Sequence, residues 1–370
     1  MPDFLSRRER LWSAAQREGV NGLLVTNPVN VTYLTGFSGD ASYLALTGTR
    51  TVLISDGRFS EQIAEECPGL EVTIRPPTQT MPEATGAVLQ GLGAGSVGYE
   101  SGHLTVADFQ SLGEQATGVS WSAGTERVEL LRQCKDADEV VQIREAIRFA
   151  EQAFAAFRAE LRGHDEEKYL ADMMEMWIRK AGGKCSSFAP IVAVGPRAAL
   201  PHAPPTARRV EEGSLLLVDW GASGAFYKSD LTRVLWSDKN GAAAHDKLEQ
   251  VFAVVFEAQR RAIAAVRPGV TASDVDRTAR AYIAEAGYDR YFTHGLGHGL
   301  GLQVHEAPSL RPTSKAVLQA GMVVTIEPGI YLPGWGGVRI EDDILVTANG
   351  AEVLTNCPRD FASSRIEFGL

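Results

Sequence analysis

Two domains are what this sequence predicts: an α/β unit, followed by a larger unit that mixes long helices with strands. Three observations predict them: the length of the chain, a change of pattern near residue 128, and the helical periodicity beyond that point. The chain has 370 residues, and single cores rarely grow past about 250–300 residues. Up to residue 128 short apolar runs alternate with helical segments. Beyond it, long amphipathic helices dominate. The expected domains are therefore 1–128 and 129–370.

In the first domain, Phe4, Leu5, Leu11, Trp12 and Ala15 are spaced for an amphipathic helix over about 4–18, ending near Gly19. The apolar runs 22–26 and 51–55 are bounded by turn residues and read as strands. A further helix follows Asp56-Gly57-Arg58. The Gly-rich segment 91–100 lacks the third-glycine spacing and the Lys-Ser/Thr of a phosphate loop. It reads as a flexible turn before a short strand. In the second domain, Val140, Ile143, Ile147, Ala150, Phe154 and Phe157 recur at three and four positions, which predicts a helix from Cys134 to Leu161. A second helix over about 165–181 stops at Gly182-Gly183. Two more, at about 243–266 and 272–286, are interleaved with strands. Two helix-helix-strand blocks of this kind could form two related halves.

Composition excludes several function classes. Hydrophobic residues make up 44% and charged residues 22%, the balance of a soluble globular protein rather than a disordered chain. The formal net charge of −10 would repel a phosphate backbone, and no basic run offsets it, so nucleic acid is not an expected partner. No stretch approaches the ~20 apolar residues of a membrane helix, and the first residues lack the apolar core of a signal peptide. Cys67, Cys134, Cys185 and Cys357 lie far apart with no CxxC pair. That argues against a disulfide framework or zinc knuckle and predicts a cytoplasmic protein.

The residues that carry chemistry cluster in the second domain. In segment 214–236, two β-rich runs flank Gly221–Gly224 and read as a hairpin. With the turn centred on Gly224-Ala225, Asp219 and Asp230 would be directly opposed. Cβ atoms so placed are ~4.5–5.5 Å apart, and two carboxylates coexist there only if one is protonated or a cation neutralises both. A register off by one would leave both as surface residues, but Asp219 interrupts an apolar run at a strand end. Segment 294–306 holds His294, His298 and His305 among glycines, which disfavour a helix. An extended, closely approached backbone is expected, and clustered imidazoles can bind metal or move protons. Glu327 ends an apolar strand before a Pro-Gly turn. Arg339 and Glu341 fall two apart on one face of another strand. Four carboxylates and one imidazole at strand ends make an oxygen-rich donor set with no thiolate. It has room for two divalent ions, which can activate water and polarise a carbonyl.

The pattern resembles the pita-bread metallopeptidase family, in its Xaa-Pro aminopeptidase and Xaa-Pro dipeptidase (prolidase) branch. The motifs VTNPVNVTYLTGFSG and SDGRF are similar to that family's amino-terminal domain. GPRAALPH, VDWG, YKSDLTR, GLGHGLGLQVHE, TIEPGIY and GGVRIEDD are similar to its catalytic domain. The resemblance implies a creatinase-like α/β amino-terminal domain and an α+β catalytic domain with a curved antiparallel sheet. Asp219, Asp230, His298, Glu327 and Glu341 would be the metal ligands, with Asp230 and Glu341 bridging two divalent ions, Asp219 completing one site, and His298 with Glu327 the other. The ions would be manganese first, with cobalt, iron or zinc acceptable. His305 would contact the scissile group and His202 would lie near the substrate's carbonyl or amino end, although on the residues alone His202 also reads as a loop histidine held between Pro201 and Pro204. His294, Tyr331 and Arg339 would shape the proline pocket.

The implied activity is hydrolysis of the bond between an N-terminal residue and proline in proline-containing peptides, by a homodimer. Two departures stand out: Arg197 replaces a frequent Asn, and Ser309 occupies a position where many prolidases have an Arg that could hold a dipeptide's carboxylate. The second favours an Xaa-Pro aminopeptidase over the alternative, a dipeptide-restricted prolidase. A non-catalytic module on the same fold should have lost ligands, a creatinase-like amidinohydrolase should lack the carboxylate set, and a methionine aminopeptidase should lack the amino-terminal domain.

Overall fold

A computed structural model of the chain describes residues 3–238 and 242–367. The chain divides into two compact units, Met1–Arg132 and Gln133–Leu370. The break falls a few residues beyond 128, because a short helix, Arg127–Arg132, is tied into the first unit. Arg127 donates to Glu18 Oε2 at 2.8 Å, and Arg132 donates to Asn30 Oδ1 at 2.7 Å.

The first unit is built on one mixed sheet of six strands. Their spatial order is Glu71–Arg75, Thr51–Asp56, Tyr43–Leu46, Gly22–Val25, Ser96–Glu100 and Ser120–Gly124. Strands 22–25, 43–46 and 51–56 pair antiparallel, and the outer ones join in parallel. The first helix spans Phe4–Gln16 and is capped by Asp3, whose side chain accepts from the Ser6 amide. The Gly-rich segment is a turn leading into strand 96–100, as the sequence predicts.

The second unit repeats one scheme twice, with two helices followed by antiparallel strands. Helices Ala137–Glu160 and Glu167–Lys180 precede a three-stranded sheet of Ile191–Val194, Leu215–Trp220 and Leu231–Trp236. The long helix starts at Ala137 rather than near Cys134, because Asp136 and Glu139 form a reciprocal capping box. Helices Ala242–Ala265 and Ala272–Glu285 precede a five-stranded sheet. Its order is Glu306–Leu310, Gly297–Gly299, Val323–Ile326, Asp342–Val346 and Ala351–Val353. A bridge between Thr232 and Glu341 joins the two sheets.

Strands 215–220 and 231–236 are buried at every position, as a sheet covered on both faces requires. Leu216, Val218, Trp220, Leu231 and Leu235 face the first helix pair, where Trp220 Nε1 donates to the Ala150 carbonyl at 2.9 Å. Leu215, Leu217, Val234 and Trp236 face the other way, into a core shared with Ile326, Val338, Ile340 and the second helix pair. Asp219, Asp230 and Thr232 continue these inward rows, because side chains alternate along a strand. The fold therefore delivers its acids to the end of an apolar core, where water cannot stabilise them. Among the described residues no helix is long and apolar enough to cross a membrane, and there is no disulfide.

Candidate metal centre

The turn of the hairpin that carries Asp219 and Asp230 lies one residue further along the chain than the sequence predicts. Gly224 N donates to the Tyr227 carbonyl at 2.8 Å, so the turn centres on Ala225-Phe226. Tyr227 fixes it to the first helix of the unit by donating its hydroxyl to Glu139 Oε1 at 2.7 Å. The register is therefore displaced by two, and Thr232 rather than Asp230 lies opposite Asp219. An even displacement keeps every side chain on its face, so Asp219 and Asp230 remain diagonal neighbours on the inward side. Both are buried, at 8% and 4% exposure.

The other candidate ligands come from the second block. Strand 297–299 is extended and tightly packed: a Cβ on Gly297 would lie 2.0 Å from the Thr325 carbonyl oxygen, and one on Gly299 would lie 2.2 Å from that of Ala307. This explains the glycines around His298. Its Nδ1 lies 3.1 Å from the Gly299 carbonyl, which can only accept, so Nδ1 carries the proton and Nε2 presents a lone pair. That lone pair faces Glu327 Oε1 at 3.4 Å and Asp230 Oδ2 at 3.6 Å. Glu327 follows strand 323–326, its amide held by the Leu296 carbonyl at 2.8 Å. Glu341 lies in the link between strands 336–339 and 342–346, so it and Arg339 do not share one strand. Asp230, His298 and Glu341 each offer a donor atom within 4.8 Å of one another.

Lone pairs and carboxylates facing each other in a dry pocket repel unless a cation or protons intervene. Burial, with Glu341 and Asp219 adding to it, pushes Asp230 well above the carboxylate range. Burial does the same to Glu341, helped by Glu327 and Asp219, and takes Glu327 up to about 8. Burial also lowers His298 to about 4, with His305 contributing, so its ring is neutral near pH 7. Asp219 Oδ1 is buried and has no hydrogen-bond partner among the described residues. Neutral imidazole, clustered acids and an orphaned carboxylate oxygen together fit a divalent-cation site.

Around the acids runs a hydrogen-bonded chain. Arg339 Nη2 pairs with Asp219 Oδ2 at 2.6 Å, rather than with Glu341. Its Nη1 donates to the Tyr331 hydroxyl at 2.8 Å. That hydroxyl lies 2.8 Å from His294 Nε2, while His294 Nδ1 lies 2.7 Å from the Gly295 carbonyl. His294 therefore donates from Nδ1 and accepts from Tyr331. Burial holds His294 down to about 4 and raises Tyr331 to about 12, so both stay neutral near pH 7. His305 is exposed, with its ring 4.3 Å from that of His298. His202 is exposed on the 195–206 loop, close enough to perturb Asp219, His294 and His305.

Two participants were not singled out from the sequence. Thr232 donates to Glu341 Oε2 at 2.6 Å and accepts from Arg339 Nε at 3.0 Å. Its position two residues after Asp230 is the signal, since both then share a face. Asp343 accepts from the Asp230 amide at 3.2 Å. It sits among acids in GGVRIEDD, and only its pairing to the hairpin distinguishes it from Asp342, which is neutralised by Arg233 and Arg359.

Residues 141–348 match metallopeptidase family M24, and residues 7–134 match the creatinase/prolidase N-terminal domain. This chain belongs to metallopeptidase family M24. The M24 chain is 32% identical to the Xaa-Pro dipeptidase of Pyrococcus furiosus over 355 residues, which is 96% of this chain and 99% of that one. Among solved structures it is similar to an Xaa-Pro dipeptidase from Bacillus anthracis, with TM-score 0.92 and 35% identity over 97% of this chain and 99% of the other. It is also similar to an X-Pro aminopeptidase from Thermotoga maritima, with TM-score 0.87 and 31% identity over 94% of this chain and 99% of the other. The M24 chain thus has the pita-bread fold and falls in the Xaa-Pro peptidase branch. It is a metallo-exopeptidase.

Proposed function

We propose that this M24 enzyme is an Xaa-Pro dipeptidase that uses two divalent cations. End-to-end likeness to Xaa-Pro dipeptidases carries the substrate class. The convergence of Asp230, His298 and Glu341 supports the metal. Asp219, Asp230, His298, Glu327 and Glu341 would hold the cations. The donor set is oxygen-rich and suits manganese, with cobalt, iron and zinc chemically acceptable. When bound, the cations would supply Lewis acidity and a water activated near neutral pH.

The remaining work falls to side chains. An Xaa-Pro bond has no N–H for the enzyme to grip, so recognition must come from the ring, the carbonyl and the termini. His294, Tyr331 and Arg339 would wall the ring. His305 and His202 would contact the reacting carbonyl and the amino end, and His305 offers a group able to pass a proton to the leaving proline nitrogen. A homodimer, which rests on the resemblance, and a cytoplasmic location, which rests on the widely spaced cysteines, are part of the same proposal.

Ser309 favours a second possibility, cleavage of longer Xaa-Pro peptides, because it cannot supply the guanidinium fork that grips a free carboxylate. Likeness to the Thermotoga enzyme supports the same alternative. The test is kcat/KM on Ala-Pro, Ala-Pro-Ala and a matched pentapeptide. A dipeptidase should favour Ala-Pro by a hundredfold or more, about 2.7 kcal/mol of transition-state binding. Equal or better cleavage of the longer peptides would establish the aminopeptidase instead.

A further inference from the structure

Glu167 is a carboxylate with no solvent exposure, far in sequence from the acids described above. It stands in the first turn of helix 167–180. Its Oε1 accepts from the Val194 amide at 2.8 Å. Its Oε2 accepts from the Thr206 amide at 2.9 Å and the Thr206 hydroxyl at 2.6 Å. Arg197 Nε lies between the two oxygens, at 3.1 and 2.9 Å. Val194 and Thr206 are the two ends of the loop that carries His202, so one buried carboxylate ties both ends. Arg197 also reaches the Pro204 carbonyl, across the loop's second half. The first half is pressed on strand 336–339, where a Cβ on Gly337 would lie 2.0 Å from the Ala198 carbonyl oxygen. Arg339 Nη1 lies 3.4 Å from the Pro201 carbonyl. The loop is thus held at its base and flanks, and Leu200 and His202 remain exposed at its apex.

We infer that Glu167 and Arg197 are positioning residues for substrate turnover, fixing the 194–206 loop so that His202 is presented to the substrate. A fully buried carboxylate tied to a part-exposed guanidinium is a costly way to hold a loop unless its geometry is used. All of its bonds converge on the segment that carries one histidine. Charge-assisted bonds from two backbone amides and a guanidinium leave the loop little freedom to drift. Displacements of about 1 Å at a reacting group can cost about a hundredfold in rate. The inference rests on the proposal that His202 contacts substrate.

The experiment is a double-mutant cycle on the metal-loaded full chain, with Arg197→Met and Arg197→Lys in wild-type and His202→Ala backgrounds. Glu167→Gln serves as a second probe, and kcat, KM and metal content are read for each. Arg197→Met should lower kcat/KM on Ala-Pro about tenfold with metal content unchanged, and Arg197→Lys should recover part of that loss. In the His202→Ala background the same substitution should cost less than about twofold, because the residue it positions is gone. Equal losses in both backgrounds would overturn the positioning role and leave the proposed function standing. Wild-type activity in His202→Ala alone would remove His202 from the machinery, and the inference with it.

Discussion

Arg339 shows how a single side chain balances the site. It is buried, pairs with Asp219, and supports Tyr331 and Thr232. Removing one partner of a buried pair leaves the other charge stranded, at a typical cost of about 3–5 kcal/mol. Arg339→Met should therefore destabilise the metal-free protein by roughly that amount in denaturant melts. The loss should shrink when a divalent cation is present to neutralise Asp219. A loss of under about 0.5 kcal/mol in metal-free protein would show that Asp219 does not depend on it. His305 is the complementary case, since it is exposed and touches His298 only by ring contact. His305→Ala should lower kcat by about 10²–10⁴-fold while metal content, read by elemental analysis, stays at the wild-type level. Collapse of metal content would make His305 a ligand. The acids were legible in the sequence because a carboxylate inside an apolar strand is anomalous. Thr232 and Glu167 were not, because a threonine in a strand and a glutamate near a helix start are ordinary until register and loop contacts give them partners.

Among elements, the hairpin shows what pattern can and cannot fix. The β-rich runs flanking the glycines identified both strands, and the assumed turn brought both aspartates together on one face. The turn was misplaced because Gly224-Ala225 is a plausible two-residue turn by composition. Tyr227's bond to Glu139, 88 residues away, favours the turn one residue further on, and no local rule can see that contact. The histidine strand was readable from its glycines, and the structure gives the reason in steric terms. Gly299→Ala would place a Cβ 2.2 Å from the Ala307 carbonyl oxygen, so strands 297–299 and 306–310 must part. This variant should lose bound metal although it alters no proposed ligand. Wild-type metal content would mean that the strand can shift without moving His298.

For the whole molecule, the fold brings together the proposed ligands from both helix-helix-strand blocks and stores electrostatic repulsion between them. The two-block plan was visible as helix spacing, whereas the joining of the two sheets through Thr232 and Glu341 was not. In metal-free protein Glu327 sits at about 8, and Asp230 and Glu341 are also raised, while an unfolded chain titrates its carboxylates near about 4. Between those values these acids bind more protons in the folded state, so their contribution falls as pH rises, complete below about pH 4 and lost as pH rises through about 8. His294 and His298, held down to about 4, act in the opposite sense up to about pH 6.5. Melting temperatures of chelated protein should therefore decline from about pH 6.5 to pH 8.5. Stabilisation by added Mn²⁺ should grow over the same interval, because the cation binds the deprotonated acids. Parallel pH profiles with and without metal would contradict this coupling.

The proposal on which the enzyme's chemistry depends is that the acids around Asp230 and Glu341 hold cations that act on an Xaa-Pro bond. Ala-Pro turnover, followed together with bound metal as a chelator is added and a divalent cation is then restored, tests it most directly. Activity should vanish as metal leaves, return with it, and level off near about two ions per chain; Glu341→Ala should bind neither ion and recover nothing. Undiminished Ala-Pro cleavage by chelated, metal-free protein would rule out a cation-dependent reaction.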